Sequence, residues 1–472
     1  MTLRIVRQSK YRHVFGTPAK RDQCYDNLKL SVSAWDTNLI KVNPRFFALN
    51  WNAGGGGAFA VVPLDHKGKL EDAYPLFNGH AGTVLDTDFH PFNDHVIASG
   101  AEDCKVMVWK IPEDGMGGRH ISTPEVTLSG HLRKVGTVMF HPTADNVLAS
   151  AGADYAVKFW DVEKGMERAE LSGHGEIIQS MTYSWMGDML ATTCKDKVLR
   201  VFDVRAQEAV AETPGHQGVK GSRAVWLGEH DKICTVGFSR TSDRQIFIWD
   251  LKNMKTPLRK QELDMSSGIL MPFFDKDNQI LYLAGKGDGN ISYYEYDDTQ
   301  NSELFYLSDY KSSDPQRGIG FLPKRAVDVS QQEIARAYRV HNTMVEPISF
   351  RVPRKADSFQ ADIFPPCVGD TPALTADEFF DEGKTEPPVL VSLEDGFVPT
   401  APREFVAQAS ENTLSDSANG SLIMEPQTDA EFQDAYKAVK AQLEAMKAEM
   451  QQKELRIKQL EGLLAAATLS KE

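Results

Sequence analysis

Two hydrophobic periods divide this chain. Up to about residue 355 the apolar residues gather in short runs that read as β-strands: RFFALNW at 45–51, AFAVVPL at 58–64, YRVHN at 338–342 and VEPISFRV at 345–352. Residues 11–15 alternate like one further strand at the front. From Phe432 the period changes: Tyr436, Val439, Leu443, Met446, Met450, Ile457, Leu460 and Leu464 fall at alternating three- and four-residue steps. That is the a/d seam of a coiled coil of about five heptads, with Lys453 as a defect at one d position. Thr428, with Glu431 three residues on, predicts a capping box at its start.

The strand-rich part is repetitive. Gly-His pairs stand at Gly79-His80, Gly130-His131, Gly173-His174 and Gly215-His216, each followed by an aromatic residue: Trp109, Trp160, Phe202 and Trp249. Ser99, Asp103 and Trp109 are four and then six residues apart; Ser150, Asp154 and Trp160 repeat this, as do Thr192, Asp196 and Phe202. Repeats of about 40–50 residues carrying GH and WD mark a WD-repeat β-propeller. In such a blade the Asp lies in the turn between the second and third strands, and the His on the connection entering the blade. A buried chain then runs from Asp through His and Ser or Thr to the indole N–H, giving each polar group a partner. Phe202 has no N–H, so its chain ends one link early. A catalytic Ser/His/Asp set would have to arise separately in three blades, so the structural reading is preferred.

Fainter repeats complete the ring. Ser239, Asp243 and Trp249 keep the four-and-six spacing, while Asp288 and Tyr294 keep only the second interval, with Ala284 at the hydroxyl position. Residues 45–64 and 338–352 supply two degenerate blades, for a total of seven. The strand at 11–15 is expected to pair with the last blade, closing the ring and removing exposed edges. The fold expected is therefore all-β: a seven-bladed propeller over 1–355, followed by an extension and a coiled coil.

Composition changes little in this picture: 41% hydrophobic and 25% charged residues are ordinary for a globular chain. No apolar run approaches a membrane-spanning length, and MTLRIVRQSK lacks the core of a signal peptide. Cys24, Cys104, Cys194, Cys234 and Cys367 are scattered, which suggests neither disulfides nor a metal site and makes a cytoplasmic location the default. The net charge of -14 is concentrated: residues 357–431 hold 16 acids against two bases. That stretch divides into an extension at 356–402, with enough Phe, Leu and Val to pack on the propeller, and a flexible acidic linker at 403–428. The coiled coil occupies 429–468. A single amphipathic helix lying on the propeller is the alternative, which the 3.5-residue period disfavours. Within the seam, Arg456 at g and Glu461 at e bracket Ile457 and Leu460, a pattern similar to a trimerisation motif, which favours a trimer over a dimer.

The chain resembles the coronins over nearly its whole length. SKYRHVFG at 9–16, CYDN at 24–27, GGGGAFAVVPL at 54–64 and the stretch 78–115 resemble the family's opening; PPCVGDTPALTADEFFDEG at 365–383 is similar to its C-terminal extension. The resemblance implies a short coronin whose extension packs on one propeller face and which binds filamentous actin. It also implies contact with the branch-nucleating actin-related protein complex through the coiled coil, cooperation with cofilin, and a place at the actin cytoskeleton of the cell cortex.

An acidic filament surface calls for basic partners. Arg4, Arg7, Lys10, Arg12, Lys20, Arg21 and Lys29 crowd the first thirty positions, and Arg12, Lys20, Arg21 and Lys29 are the expected actin contacts. Lys29 stands where coronins commonly carry Arg, which keeps the charge but not the planar fork. A solvated face is the alternative, and no aromatic-basic module points to nucleic acid. There is no phosphate-binding GxxxxGK[ST], GKGDGN at 285–290 fits a hairpin turn, and no cofactor is implied. A non-enzymatic actin regulator is the reading; a WD-repeat adaptor in signalling or membrane trafficking is the alternative.

Overall fold

Alternating apolar positions turn every second side chain of a strand toward a neighbouring sheet, and here small antiparallel sheets pack face to face in a ring. The structure, a computed structural model, describes residues 8–113, 115–300, 302–354 and 358–397. Five sheets have four strands each, spanning 84–129, 135–171, 178–214, 223–262 and 270–311. The first blade is built from Ile40–Val42, Phe46–Asn50 and Phe59–Pro63, and Phe77 adds a bridge to Phe59 on its outer side. The last contains Gln316–Phe321, Glu333–His341 and Met344–Arg351. The fold is a seven-bladed β-propeller.

Between blades the core is aromatic and aliphatic. Phe59 stacks on Phe77 with centroids 4.9 Å apart, and both meet the edge of Trp109, joining the first two blades. Such packing contributes about 0.5–1.5 kcal/mol per ring pair beyond the area buried.

Ring closure differs in detail from expectation. The closing strand is Phe15–Pro18, not 11–15, and it pairs antiparallel with the last blade from Phe15↔Arg351 to Pro18↔Ile348. Tyr11 instead lies in a turn, where its carbonyl accepts from Val14 N and its hydroxyl from Asn278 Nδ2 at 2.7 Å. The alternation at 11–15 thus reflects burial of Tyr11 and Val14 beneath a turn. Beyond Pro18 the chain climbs the last blade, where Tyr25 pairs with both Val345 and Gly68.

Residues 358–397 lie against the face opposite the Gly-His loops. Thr375 accepts from Glu378 N and Glu378 reaches back to Thr375 N, a capping box that starts the one-turn helix Ala376–Phe380. Leu374 bridges Ala144, and Phe379, fully buried, packs on the His141 ring at 4.4 Å. Asp377 pairs with Lys164, Asp381 with Arg168, and Arg205 donates to the Gly383 carbonyl. Cys367–Val368 and Leu390–Val391 form a two-stranded sheet. The linker expected at 403–428 and the coiled coil expected at 429–468, including Leu443, Met446, Met450, Arg456, Ile457, Leu460, Glu461 and Leu464, lie outside the described residues. So do Arg4 and Arg7. No described helix is long and apolar enough to cross a membrane.

Candidate functional site

In the second blade His80 Nδ1 meets Asp103 at 3.0 Å, His80 Nε2 meets Ser99 Oγ at 2.7 Å, and Trp109 Nε1 donates to Ser99 Oγ at 2.8 Å. The third blade repeats these distances for His131, Asp154, Ser150 and Trp160. A carboxylate accepts only, so Nδ1 carries the proton and Nε2 accepts from the serine hydroxyl, which in turn accepts from the indole. Asp154 also accepts from Leu132 N at 2.8 Å. Burial alone would raise its pKa, but the hydrogen bonds from His131 and Leu132 outweigh it and hold it below the usual carboxylate value. Ser99 and Ser150 are fully buried, so neither hydroxyl is open to a substrate.

Two later blades depart from the expected chain. His174 Nε2 meets Thr192 Oγ1 at 2.9 Å, but Nδ1 donates to the Tyr155 carbonyl instead of to Asp196. Asp196 pairs with Arg200 at 2.8 Å and accepts from Gly175 N. With Phe202 in place of Trp, this blade loses both ends of the chain. In the fifth blade Thr235, not Ser239, joins His216 at 3.0 Å to Trp249 Nε1 at 2.9 Å. Ser239 and Asp243 lie in the turn and bond each other at 2.8 Å. The hairpin there is four residues longer, with 14 residues from Thr235 to Trp249 against 10 from Ser150 to Trp160. The sixth blade has no histidine, and Arg244 of its neighbour takes the Asp288 carboxylate while Ser266 donates to it at 2.8 Å.

The basic positions do not form one patch. Arg12 is exposed near the start of the closing strand, and Lys20 and Arg21 are exposed at its far end. Arg21 lies 3.8 Å from Asp26, and Lys29 Nζ donates to the Asp72 carbonyl at 2.9 Å. Lys20, Arg21 and Lys29 therefore share the segment that climbs from the last blade toward the first, with Asp22, Asp26 and Asp72 among them.

The central channel is polar. Asp36 holds Arg223 at 2.8 Å and Lys286 at 3.2 Å near the Gly-His face. Deeper, Lys41 pairs with Asp88 at 3.1 Å, and burial pushes the neighbouring Asp86 carboxyl up to about 6.

Seven blades, with two complete Asp-His-Ser-Trp chains, define a WD-repeat β-propeller, a class of scaffold and binding proteins without enzymatic chemistry. Residues 73–110, 122–161 and 165–203 match the WD domain, G-beta repeat; 345–388 match a type of WD40 repeat; and 4–69 match a domain of unknown function, DUF1899.

The chain belongs to the coronin family. It is 47% identical to Coronin-A of Dictyostelium discoideum over 460 residues, covering 97% of this chain and 99% of that one. It is 52% identical to Coronin-like protein crn1 of Schizosaccharomyces pombe over 394 residues, 83% of this chain but only 65% of that relative's length. The crystal structure of the WD40 domain from Toxoplasma gondii coronin superposes with a TM-score of 0.77 at 34% identity, covering 81% of this chain and 97% of that one.

Proposed function

We propose that this chain binds actin filaments through its propeller and regulates their turnover, cross-linking them as an oligomer joined by residues 429–468. The observation that carries this reading is agreement with a coronin along essentially the whole chain, extension and C-terminal region included. A closed ring of blades offers a rigid display surface on which the exposed Lys20 and Arg21 meet an acidic filament at little ordering cost. On the same reading the coiled-coil region contacts the branch-nucleating actin-related protein complex, cofilin acts alongside on the filament, and the protein works in the cytoplasm at the cell cortex.

Co-sedimentation of the full-length protein with filamentous actin is the test. Pelleting with filaments supports the reading. Failure to pellet, together with capture of other cytosolic proteins, replaces it with the signalling or trafficking adaptor.

A further inference from the structure

Three recesses meet at the channel mouth opposite the Gly-His loops, with volumes of about 360, 340 and 400 Å³, and Lys276 lines all three. The other cations at this mouth are matched: Lys41 by Asp88 at 3.1 Å, Lys324 by Asp275 at 2.6 Å and Arg325 by Asp94 at 2.9 Å. The Lys276 carbonyl accepts from Gln279 Nε2 at 2.5 Å, but its ammonium makes no ion pair or hydrogen bond among the described residues. Its ammonium sits 3.5 Å from the centre of the Trp185 ring. Burial pushes its pKa down to about 8, and Asp277, Asp275 and Glu229 act on it from further away. Two further groups go unsatisfied: Tyr183 lines the second recess and Tyr282 the third, 7% and 1% exposed, and neither hydroxyl has a hydrogen-bond partner among the described residues. Buried hydroxyls and partly buried cations are ordinarily matched, so their concentration at one mouth points to a ligand.

We propose that this mouth docks an acidic segment of a protein partner, with an Asp or Glu carboxylate meeting Lys276 and an adjacent apolar side chain entering beside Trp185 and Trp226. The walls favour a peptide, since Phe140, Phe274 and Pro142 join the two tryptophans. Charge favours a carboxylate over a phosphate. Asp88 and Asp277 line the same mouth and repel either ligand, but a carboxylate brings one negative charge where a phosphate brings about -1.5 to -2, so the repulsion is smaller for the carboxylate. The proposal stands independently of actin binding.

A phage-displayed library of random dodecapeptides, selected on the full-length protein, supplies the probe. Selected peptides are expected to carry Asp or Glu beside Trp, Phe or Leu, and their synthetic forms to change the protein's tryptophan fluorescence. Lys276→Met weakens their binding about tenfold or more, while Lys276→Arg retains most of it. The Met variant is expected to melt near the parent temperature and to pellet with filaments as the parent does. If it fails to fold, replacing the peptide's acid by its amide, tested on the parent protein, reads the same contact. Selection of no peptide, of peptides without acids, or of peptides indifferent to Lys276→Met overturns the proposal. Displacement of the peptides by millimolar inorganic phosphate overturns the peptide assignment in favour of a simple anion site.

Discussion

Arg200 lies 2.8 Å from Asp196 Oδ2, and this pair occupies the carboxylate that the equivalent histidine holds in the two preceding blades. His174 turns to a backbone carbonyl as a result. One arginine thus rewires a blade while leaving its strands in register.

The complete chains predict a graded series of stabilities. Asp154→Ala leaves His131 Nδ1 and Leu132 N without their acceptor, at a cost of about 1–3 kcal/mol. Asp243→Ala, in an exposed turn, costs much less. Thermal melts of the two variants check the order, and Asp154→Ala is expected to keep its affinity for filaments. A stable Asp154→Ala protein that no longer pellets with actin would make Asp154 a contact residue.

Acidification below pH 6.5 is expected to loosen the propeller. Burial pushes His174 and His216 down to about 4 and His141 to about 3. Between those values and the usual 6.5 or so, the unfolded chain binds protons that the folded ring refuses. Stability therefore falls with pH across that window, by at most about 1.4 kcal/mol per unit for each histidine. Asp86 and Asp277, each raised to about 6 chiefly by burial, act in the opposite sense and offset part of the loss. Urea midpoints at pH 7 and pH 5 measure the balance. The midpoint is lower at pH 5, and His216→Gln narrows the gap.

Phe379→Ala removes the ring that anchors the extension, and truncation of a buried Phe costs about 3–5 kcal/mol. Limited proteolysis is expected to cut near 380 in this variant long before it cuts the parent. Equal resistance would mean that the ion pairs of Asp377 and Asp381 hold the segment unaided.

Charge reversal tests the proposed filament contact. Lys20→Glu, Arg21→Glu and Lys29→Glu together should weaken co-sedimentation while shifting the melting temperature only slightly, since exposed charges contribute little to folding. Parent binding should also fall as salt rises, because charges are screened over about 10 Å at 0.1 M. Arg12→Glu belongs in a separate arm, being the length of the closing strand away. Unchanged binding by the triple variant at low salt moves the contact elsewhere.

Deleting 432–472 should give a monomer by light scattering that still pellets with filaments but no longer bundles them, as expected when avidity is lost. A trimer that persists would place self-association in the propeller.

Much of the fold was legible because a blade is short and its polar chain is rigid. Ser150 and Trp160 must face each other across one hairpin, so their interval barely varies. Blade five escaped because its longer turn placed Ser239 at the expected interval while Thr235 made the bonds. Arg200 and Arg244 were silent because their partners are fixed by three-dimensional packing and not by any repeat interval. Lys276 was silent too, as a lone lysine in FFDKDN becomes conspicuous only when Trp185, nearly a hundred positions earlier, is brought beneath it.

The strand Phe15–Pro18 completes a blade whose other three strands end at Arg351. Synthesis proceeds from the N-terminus, so this strand is made before the six intervening blades and waits for its partner, Met344–Arg351. Six blades are made while the ring is still open and Phe15–Pro18 is still without its partner strand. Such an edge invites pairing with a neighbouring nascent chain. The same join that closes the finished ring therefore makes the interval before its completion the hazardous part of this protein's biogenesis, when the waiting strand is open to a neighbouring chain.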